Sequence, residues 1–304
     1  MSFLTICLNP TIQKTLRFYS IVPNSVNRTA FHRLDVSGKG INVARVLTQL
    51  GKKTVHLTQL GGVMRPLFLS LCEQDGLSVE WVESAAMTAG EASDHTGEIR
   101  FCYTVLNGSD NSVTELVEES REVAAGTEER LLKKYDELLG DSSLNLNCLI
   151  ISGTKAAGFS DAVIPTITRK AKEKGLRVIL DIKSSDLIKS LKYEPDFIKP
   201  NLEEFTKTFK TEPSKDMLIE LAQKYKCKII LTNGSRKILA VEKENYFEID
   251  VPAAKAVNTT GCGDAFTAGF ASALEEGADF TTAINEGIRC GALNAGLERP
   301  GSIR

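Results

Sequence analysis

Short apolar runs alternate with longer amphipathic ones along this chain. "FLTICL" (residues 3–8) has the length and apolar content of a buried strand. "GINVARVLTQLG" (40–51) places Ile41, Ala44, Leu47 and Leu50 on one helical face and stops on Gly51. "TVHLTQL" (54–60) predicts a strand, and "RPLFLSLCEQDG" (65–76) a helix with a glycine stop. The rhythm returns with strand 146–152, helix 159–174 and strand 177–182, then helix 214–226 and strand 228–233. Two helices, 262–276 and 279–297, follow near the end. Such β-α alternation predicts an α/β fold: a mostly parallel sheet with helices on both faces.

Two stretches break the rhythm. Residues 14–36 and 98–117 hold half-polar strand patterns with no helix between them, and "NGSDN" inside the second signals a turn. They predict a small separate β-sheet, either a lid or a decoration of the sheet edge. No repeat or long linker divides the 304 residues, so a single domain with a discontinuous lid is expected.

Composition narrows the partners. A net charge of −2 creates no field that would attract nucleic acid or an anionic membrane. No apolar run approaches the roughly 20 residues that span a bilayer. The N-terminal run lacks a basic flank and reads as a core strand, not a signal peptide. Seven scattered cysteines with no C-x-x-C pair, and three dispersed histidines, argue against structural zinc and fit a reducing cytoplasm.

The candidate chemistry lies in two glycine-rich stretches. In "DVSGKGINVARVL" (35–47), Gly38, Gly40 and Ala44 make a weak G-x-G-x-x-A pattern. A dinucleotide fold would require an acidic residue about 20 positions later and a place after the first strand. Neither condition holds, which leaves an NAD-dependent oxidoreductase a remote reading. Two others stay open: a tight turn with a solvated Lys39, or an anion site at a helix start, where Asn42 could bond a sugar hydroxyl. In "VNTTGCGDAFTAGFASAL" (257–274), Gly261 and Gly263 bracket Cys262 and open a helix. Asp264 is the only acidic residue between Asp250 and Glu275. It could be a helix cap. It could also be a general base beside an anion hole, taking a proton from an alcohol that attacks a phosphoryl group.

Together these stretches resemble the PfkB family of carbohydrate kinases, which have the ribokinase-like fold. "SGKGINVARVLTQLG" and "VNTTGCGDAFTAGF" look like the two family signatures, and "IKPNLEEF" (198–205) and "LTNGSRKILAV" (231–241) like the segments between them. The resemblance implies an ATP- and Mg²⁺-dependent kinase. In it Asp264 is the base, and Gly261, Cys262 and Gly263 form the anion hole. Asn201 and Glu204 position Mg²⁺ and phosphates through water. Lys199, Thr232 and Gly234 lie on the ATP side, while Asn42 and the Gly38–Gly40 turn contact sugar. The lid often forms a homodimer interface. "LNPTIQKT", "VNR" and "TELVEE" are similar to the phosphosugar branch, which contains 1-phosphofructokinase and tagatose-6-phosphate kinase. There Arg28, Lys39 and Arg100 would hold the substrate's phosphate, and Ser152 would be a further substrate contact.

The match departs on the sugar side. Gln13 stands where the branch has an aspartate for sugar hydroxyls. Lys155 and Lys183 are additional, and are read as solvated. Asn258 replaces an aspartate near which some relatives bind a monovalent cation, which puts that cation in doubt. Fructose 1-phosphate is the first expected substrate and tagatose 6-phosphate the next. The alternatives are a kinase of an unphosphorylated sugar or nucleoside, and a catalytically weak sugar-phosphate-binding protein.

Overall fold

The structure, a computed structural model, describes residues 2–84 and 97–304. β1 (Ser2–Leu8) is buried along its whole length, as a strand covered on both faces must be. It is followed by β2 (Thr11–Phe18), β3 (Phe31–Ser37), α1 (Lys39–Gln49), β4 (Lys53–Leu60), α2 (Arg65–Gln74) and β5 (Ser78–Glu83). Next come β6 (Arg100–Asn107), β7 (Ser112–Val117), α3 (Thr127–Gly140), β8 (Leu146–Lys155), α4 (Val163–Glu173), β9 (Arg177–Asp181) and α5 (Ser184–Leu191). The remaining elements are β10 (Phe197–Ile198), α6 (Leu202–Phe209), α7 (Lys215–Tyr225), β11 (Lys228–Leu231), β12 (Ile238–Glu242), β13 (Asn245–Ile249), α8 (Cys262–Glu275) and α9 (Phe280–Ala295).

A nine-stranded sheet runs β13-β12-β11-β10-β9-β8-β1-β4-β5. It is parallel from β5 to β11 and ends in the antiparallel pairs β11–β12 and β12–β13. Side chains alternate across it. Leu4, Ile6 and Leu8 join the core under α3, α4 and α5, with Tyr135, Ile167 and Leu187. Phe3 points the other way, into the core with Val43 of α1, Phe270 of α8 and Ile284 of α9. α8 and α9 approach closely because residue 269 is glycine: a Cβ there would sit 2.6 Å from Cys290 Sγ.

The two irregular stretches form one four-stranded sheet, β3-β2-β6-β7. Its first strand begins earlier than the sequence pattern suggested, at Thr11, because β2 leaves directly from Pro10 at the end of β1. β2 and β6 run parallel and place Gln13 opposite Cys102, while β2 and β3 run antiparallel and place Gln13 opposite Asp35. The inner positions Ile12 and Val36 pack with Ile41 and Phe68, so the small sheet is anchored on α1 and α2.

Candidate active site

Successive strands leave β1 in opposite directions, β4 and β5 on one side and β8 to β11 on the other. A crevice therefore opens at the carboxyl ends of β1 and β8, the place where open α/β sheets take ligands. The four-stranded sheet stands over it. Two cavities of about 450 and 420 Å³ meet there and share Gly38, Lys39, Arg100, Asp181 and Glu204.

Asp264 faces the second cavity from the first turn of α8. Gly261 precedes that helix with φ of 83°, and a Cβ on it would meet the Gly301 nitrogen at 2.2 Å. Gly263 has open room on its cavity side, its nearest neighbour being Lys199 Nζ, 3.7 Å from where a Cβ would be. Cys262 does not line the cavity. Its thiol accepts from Asn294 at 3.4 Å, and its N–H donates to the Thr259 carbonyl at 3.3 Å. Of the three expected anion-hole residues, only the two glycines reach the space. Asp264 is 5% exposed and accepts from Asn42 Nδ2 at 2.8 Å. Burial raises its pKa to about 7, with Asp181 adding to the rise and Lys39, Asn42 and Lys199 opposing it. It is neither a cap nor a pre-paired carboxylate, and it exchanges a proton near neutral pH.

Around it lies a compact set of charges. Lys39 extends from α1 across the crevice, with Nζ 3.2 Å from Glu204 Oε1 and 3.8 Å from Asp181 Oδ1. Asp181 ends β9, fully buried, and also takes Lys199 Nζ at 3.2 Å and the Ser152 hydroxyl at 3.1 Å. Burial alone would raise its pKa, but Lys199 and Lys39 outweigh burial and hold it below the usual range. The same carboxylates, Asp181 foremost, keep Lys39 protonated well above the ordinary lysine value.

Asn201 caps α6, accepting from the Glu204 N–H at 2.8 Å, while Glu204 Oε2 takes the Asn201 N–H at 3.1 Å. Both Glu204 oxygens are thus engaged. Among the described residues no group of three or more His, Cys, Asp or Glu side chains is arranged to hold a metal ion. This donor set fits Mg²⁺ carried on phosphate oxygens and touched through water. It does not fit a metal ligated directly by the protein. Thr232 lines the same cavity and pairs with Asn201 through the backbone. Gly234, the ATP-side glycine, lies exposed in the following turn with φ of 59°.

The sugar-side expectations fare unevenly. Gln13 is buried, donates to the Thr104 hydroxyl at 2.6 Å and lines the cavity. Arg100 lines both cavities with no carboxylate partner among the described residues, donating to Thr11 and to the Glu118 carbonyl. Gly40 is a packing glycine rather than a ligand-facing one: a Cβ there would lie 2.8 Å from Cys7 Cβ and 2.9 Å from the Ile6 carbonyl. Ser152 is buried behind Asp181 and lines neither cavity. Arg28 is exposed in the loop between β2 and β3 and lines neither. Lys155 is not solvated: it pairs with Asp186 at 2.5 Å and Asp161 at 3.1 Å. Lys183 is exposed at the cavity mouth. Asn258 spends its amide internally, accepting from the Thr260 N–H and donating to the Glu298 carbonyl. That arrangement offers a cation no carboxylate.

Sequence reasoning missed Asp181, although a charged residue closing the apolar run "RVILD" (177–181) was a usable signal. It also missed Thr259 and Thr260, which line the cavity beside Gly261. Thr260 donates to Glu115 of β7 at 3.1 Å, a contact between the small sheet and the α8 loop that no local pattern announces.

Several known proteins share this architecture. Escherichia coli phosphofructokinase-2 in complex with fructose-6-phosphate matches with a TM-score of 0.82 at 20% identity, over 97% of this chain and 93% of that one. A possible 1-phosphofructokinase from Thermotoga maritima matches with 0.83 at 20% identity, over 98% and 93%. Ribokinase from the same organism matches with 0.71 at 16% identity, over 99% and 94%. These likenesses show the ribokinase-like fold. The pattern of the pfkB family carbohydrate kinases matches residues 4–302, so the chain belongs to that family, whose members use ATP to phosphorylate sugar hydroxyls.

Proposed function

We propose that this enzyme transfers the γ-phosphoryl group of ATP to a hydroxyl of a phosphorylated ketohexose, with fructose 1-phosphate the first candidate and tagatose 6-phosphate the next. The observation that carries this reading is Asp264. It is a buried carboxylate with a pKa of about 7, placed beside two glycines that line the cavity, which Arg100 also lines with no carboxylate partner among the described residues.

Asp264 takes the proton of the attacking hydroxyl, and a base with a pKa near the working pH does so efficiently. Gly263 leaves room for the transferred group against the α8 N-terminus, where the helix dipole favours negative charge. Lys199 and Lys39 add positive charge on either side of Asp181. Mg²⁺, when bound with the nucleotide, would neutralise its phosphate oxygens, and Asn201 and Glu204 would meet its waters. Arg100 and Lys39 hold the phosphate that the sugar already carries, one as a fork and the other as a point charge. Gln13 offers its amide to a sugar hydroxyl.

One finding favours a second reading, a kinase of an unphosphorylated sugar. Arg28 does not converge with Arg100 and Lys39 within the chain, and Lys39 already has two carboxylate neighbours. ADP release measured with fructose 1-phosphate, tagatose 6-phosphate, fructose 6-phosphate, fructose and a nucleoside decides between them. Turnover on a phosphorylated ketohexose with Arg100→Gln raising its KM is expected. Preference for free fructose, or a KM unmoved by that substitution, would establish the second reading. ADP release with none of them would leave a binding protein.

The four-stranded sheet exposes Tyr19, Val22, Val26 and Phe31 along its outer edge and loop, and we place a homodimer contact there. No helix among the described residues is long and apolar enough to cross a membrane, and all seven cysteines are unpaired. Both observations support a place in the cytoplasm.

A further inference from the structure

The largest fully buried side chain of this protein is a charged one. Arg45, on α1, is 1% exposed. Replacing such a group with an apolar one of similar volume is often neutral or stabilising, so burial of this kind needs a reason beyond stability. All three guanidinium nitrogens are used. Nε donates to Asp75 at 2.9 Å, and Nη2 donates to the Val36 carbonyl. Nη1 donates to Asn42 Oδ1 at 3.0 Å and faces the Pro300 and Gly301 carbonyls at 3.4 and 3.3 Å. Arg299 meets the other side of Asp75 and reaches Asp35 at 2.9 Å, so Arg45 is held in place by the C-terminal segment.

The contact with Asn42 has a chemical consequence. An asparagine amide has an accepting end and a donating end, and it can be turned either way. Arginine only donates, so Arg45 can face only Oδ1. The Ser37 hydroxyl also donates to Oδ1, at 3.3 Å. With two donors on its oxygen, Asn42 must point its NH₂ away from them, toward Asp264 Oδ2 at 2.8 Å. Gly301 leaves no slack, since a Cβ there would lie 2.3 Å from Asn42 Cβ.

We infer that Arg45 is a positioning residue for phosphoryl transfer: by fixing the polarity of the Asn42 amide, it aims a hydrogen-bond donor at the carboxylate that serves as base. This rests on the role proposed for Asp264. Arg45 touches no reacting atom. It acts through one side chain, three residues back on the same helical face. The other groups around Asp264 are Lys39 of α1, Asp181 of β9, Lys199 after β10, and the thiols of Cys7 and Cys262. None of these is bonded to Arg45, so a change at residue 45 reaches the base through Asn42 or through charge alone.

The test is the pH profile of kcat in Arg45→Met, Ser37→Ala, Asn42→Ala and the Arg45→Met/Asn42→Ala double variant, each checked for folding by thermal melting. Arg45→Met should lower kcat about tenfold, less than the roughly hundredfold that a misplaced reacting group can cost. KM for ATP should stay within about twofold, because the nucleotide-side residues are untouched. The acidic limb should move to higher pH, as the carboxylate loses a donor that favours its anion. Ser37→Ala, which removes no charge, should move it the same way by less. In the Asn42→Ala background, Arg45→Met should add nothing. An unmoved limb, or a shift in the double variant that sums the two single ones, would overturn the proposal, the second by showing a charge effect alone. If Arg45→Met does not fold, Arg45→Gln, whose amide can present either end and so does not fix the polarity of Asn42, carries the same expectations and the same refutation. Substantial turnover in Asp264→Asn would instead remove the base itself, a separate failure.

Discussion

Two glycine-bracketed helix starts face each other across the crevice, Gly38-Lys39-Gly40 before and within α1 and Gly261-Cys262-Gly263 at α8. Their sequences look interchangeable, yet each glycine is required for a different reason. At α1 the second glycine is pressed on the β1 backbone, and the residue between the two sends its ammonium across the crevice. At α8 the first glycine is pressed on Gly301, the second is open to the cavity, and the residue between turns its thiol toward α9. A G-x-G pattern marks close approach. What approaches, the fold's own backbone or a ligand, is set by the elements packed behind it.

Removing the one feature that the α1 loop lacks, its neighbouring carboxylate, is the largest perturbation. Asp264→Asn should lower kcat by about 10²-fold or more in the ADP-release assay, the usual scale for a lost general base. The same variant carries a stability signature. The folded pKa of Asp264, about 7, lies above the ordinary aspartate value near 4. Between those pH values the folded protein keeps a proton that the unfolded chain releases, so this residue's contribution to stability declines as pH rises toward 7. Asp264→Asn should therefore melt like the parent at pH 4 and later than the parent at pH 8. An earlier melt at pH 8 would contradict the assigned environment.

The pH dependence of the unmodified enzyme comes next in size. kcat/KM for the sugar should fall about tenfold for each pH unit below about 7, as the base protonates. A flat profile down to pH 5 would contradict a base with this pKa.

The smallest effects separate the glycines. Gly263→Ala has room for its methyl in the protein and should leave melting nearly unchanged while lowering kcat about tenfold, as a donor site for the transferred group is obstructed. Gly40→Ala drives a methyl into Cys7 and Ile6 and should cost about 1 to 3 kcal/mol in denaturant unfolding. Its kcat, measured below the unfolding transition, should change less than that of Gly263→Ala. The reverse pattern would erase the distinction.

Much of this architecture was legible beforehand. The strand and helix periods of β1, α1, β4, α2 and β8 follow from where apolar residues fall, and the half-polar runs at 14–36 and 98–117 do form a separate sheet. Asp264 stood out because no other acidic residue is near it in sequence. Gly40 and Ser152 show where local reading fails. Both sit inside the motifs that suggested ligand contact, but Gly40 is pressed on β1 and Ser152 is turned toward Asp181. Arg28 shows the converse, a residue of the expected phosphate-binding trio left outside the crevice by the course of its loop. Nothing in the apolar spacing of residues 40–51 singles out Arg45. Its burial depends on Asp75, Arg299 and the Gly301 carbonyl, and two of these lie more than two hundred residues away.

The sequence by itself determined the periods of the elements, the α/β class and the family, because these depend on residue spacing and on motifs within a few turns. Only the tertiary structure decided which polar groups meet. Asn42 and Asp264 are 222 positions apart and share one hydrogen bond. The proton affinity of Asp264 was likewise undecided in the sequence, since desolvation is a property of the burying surroundings and not of the residue.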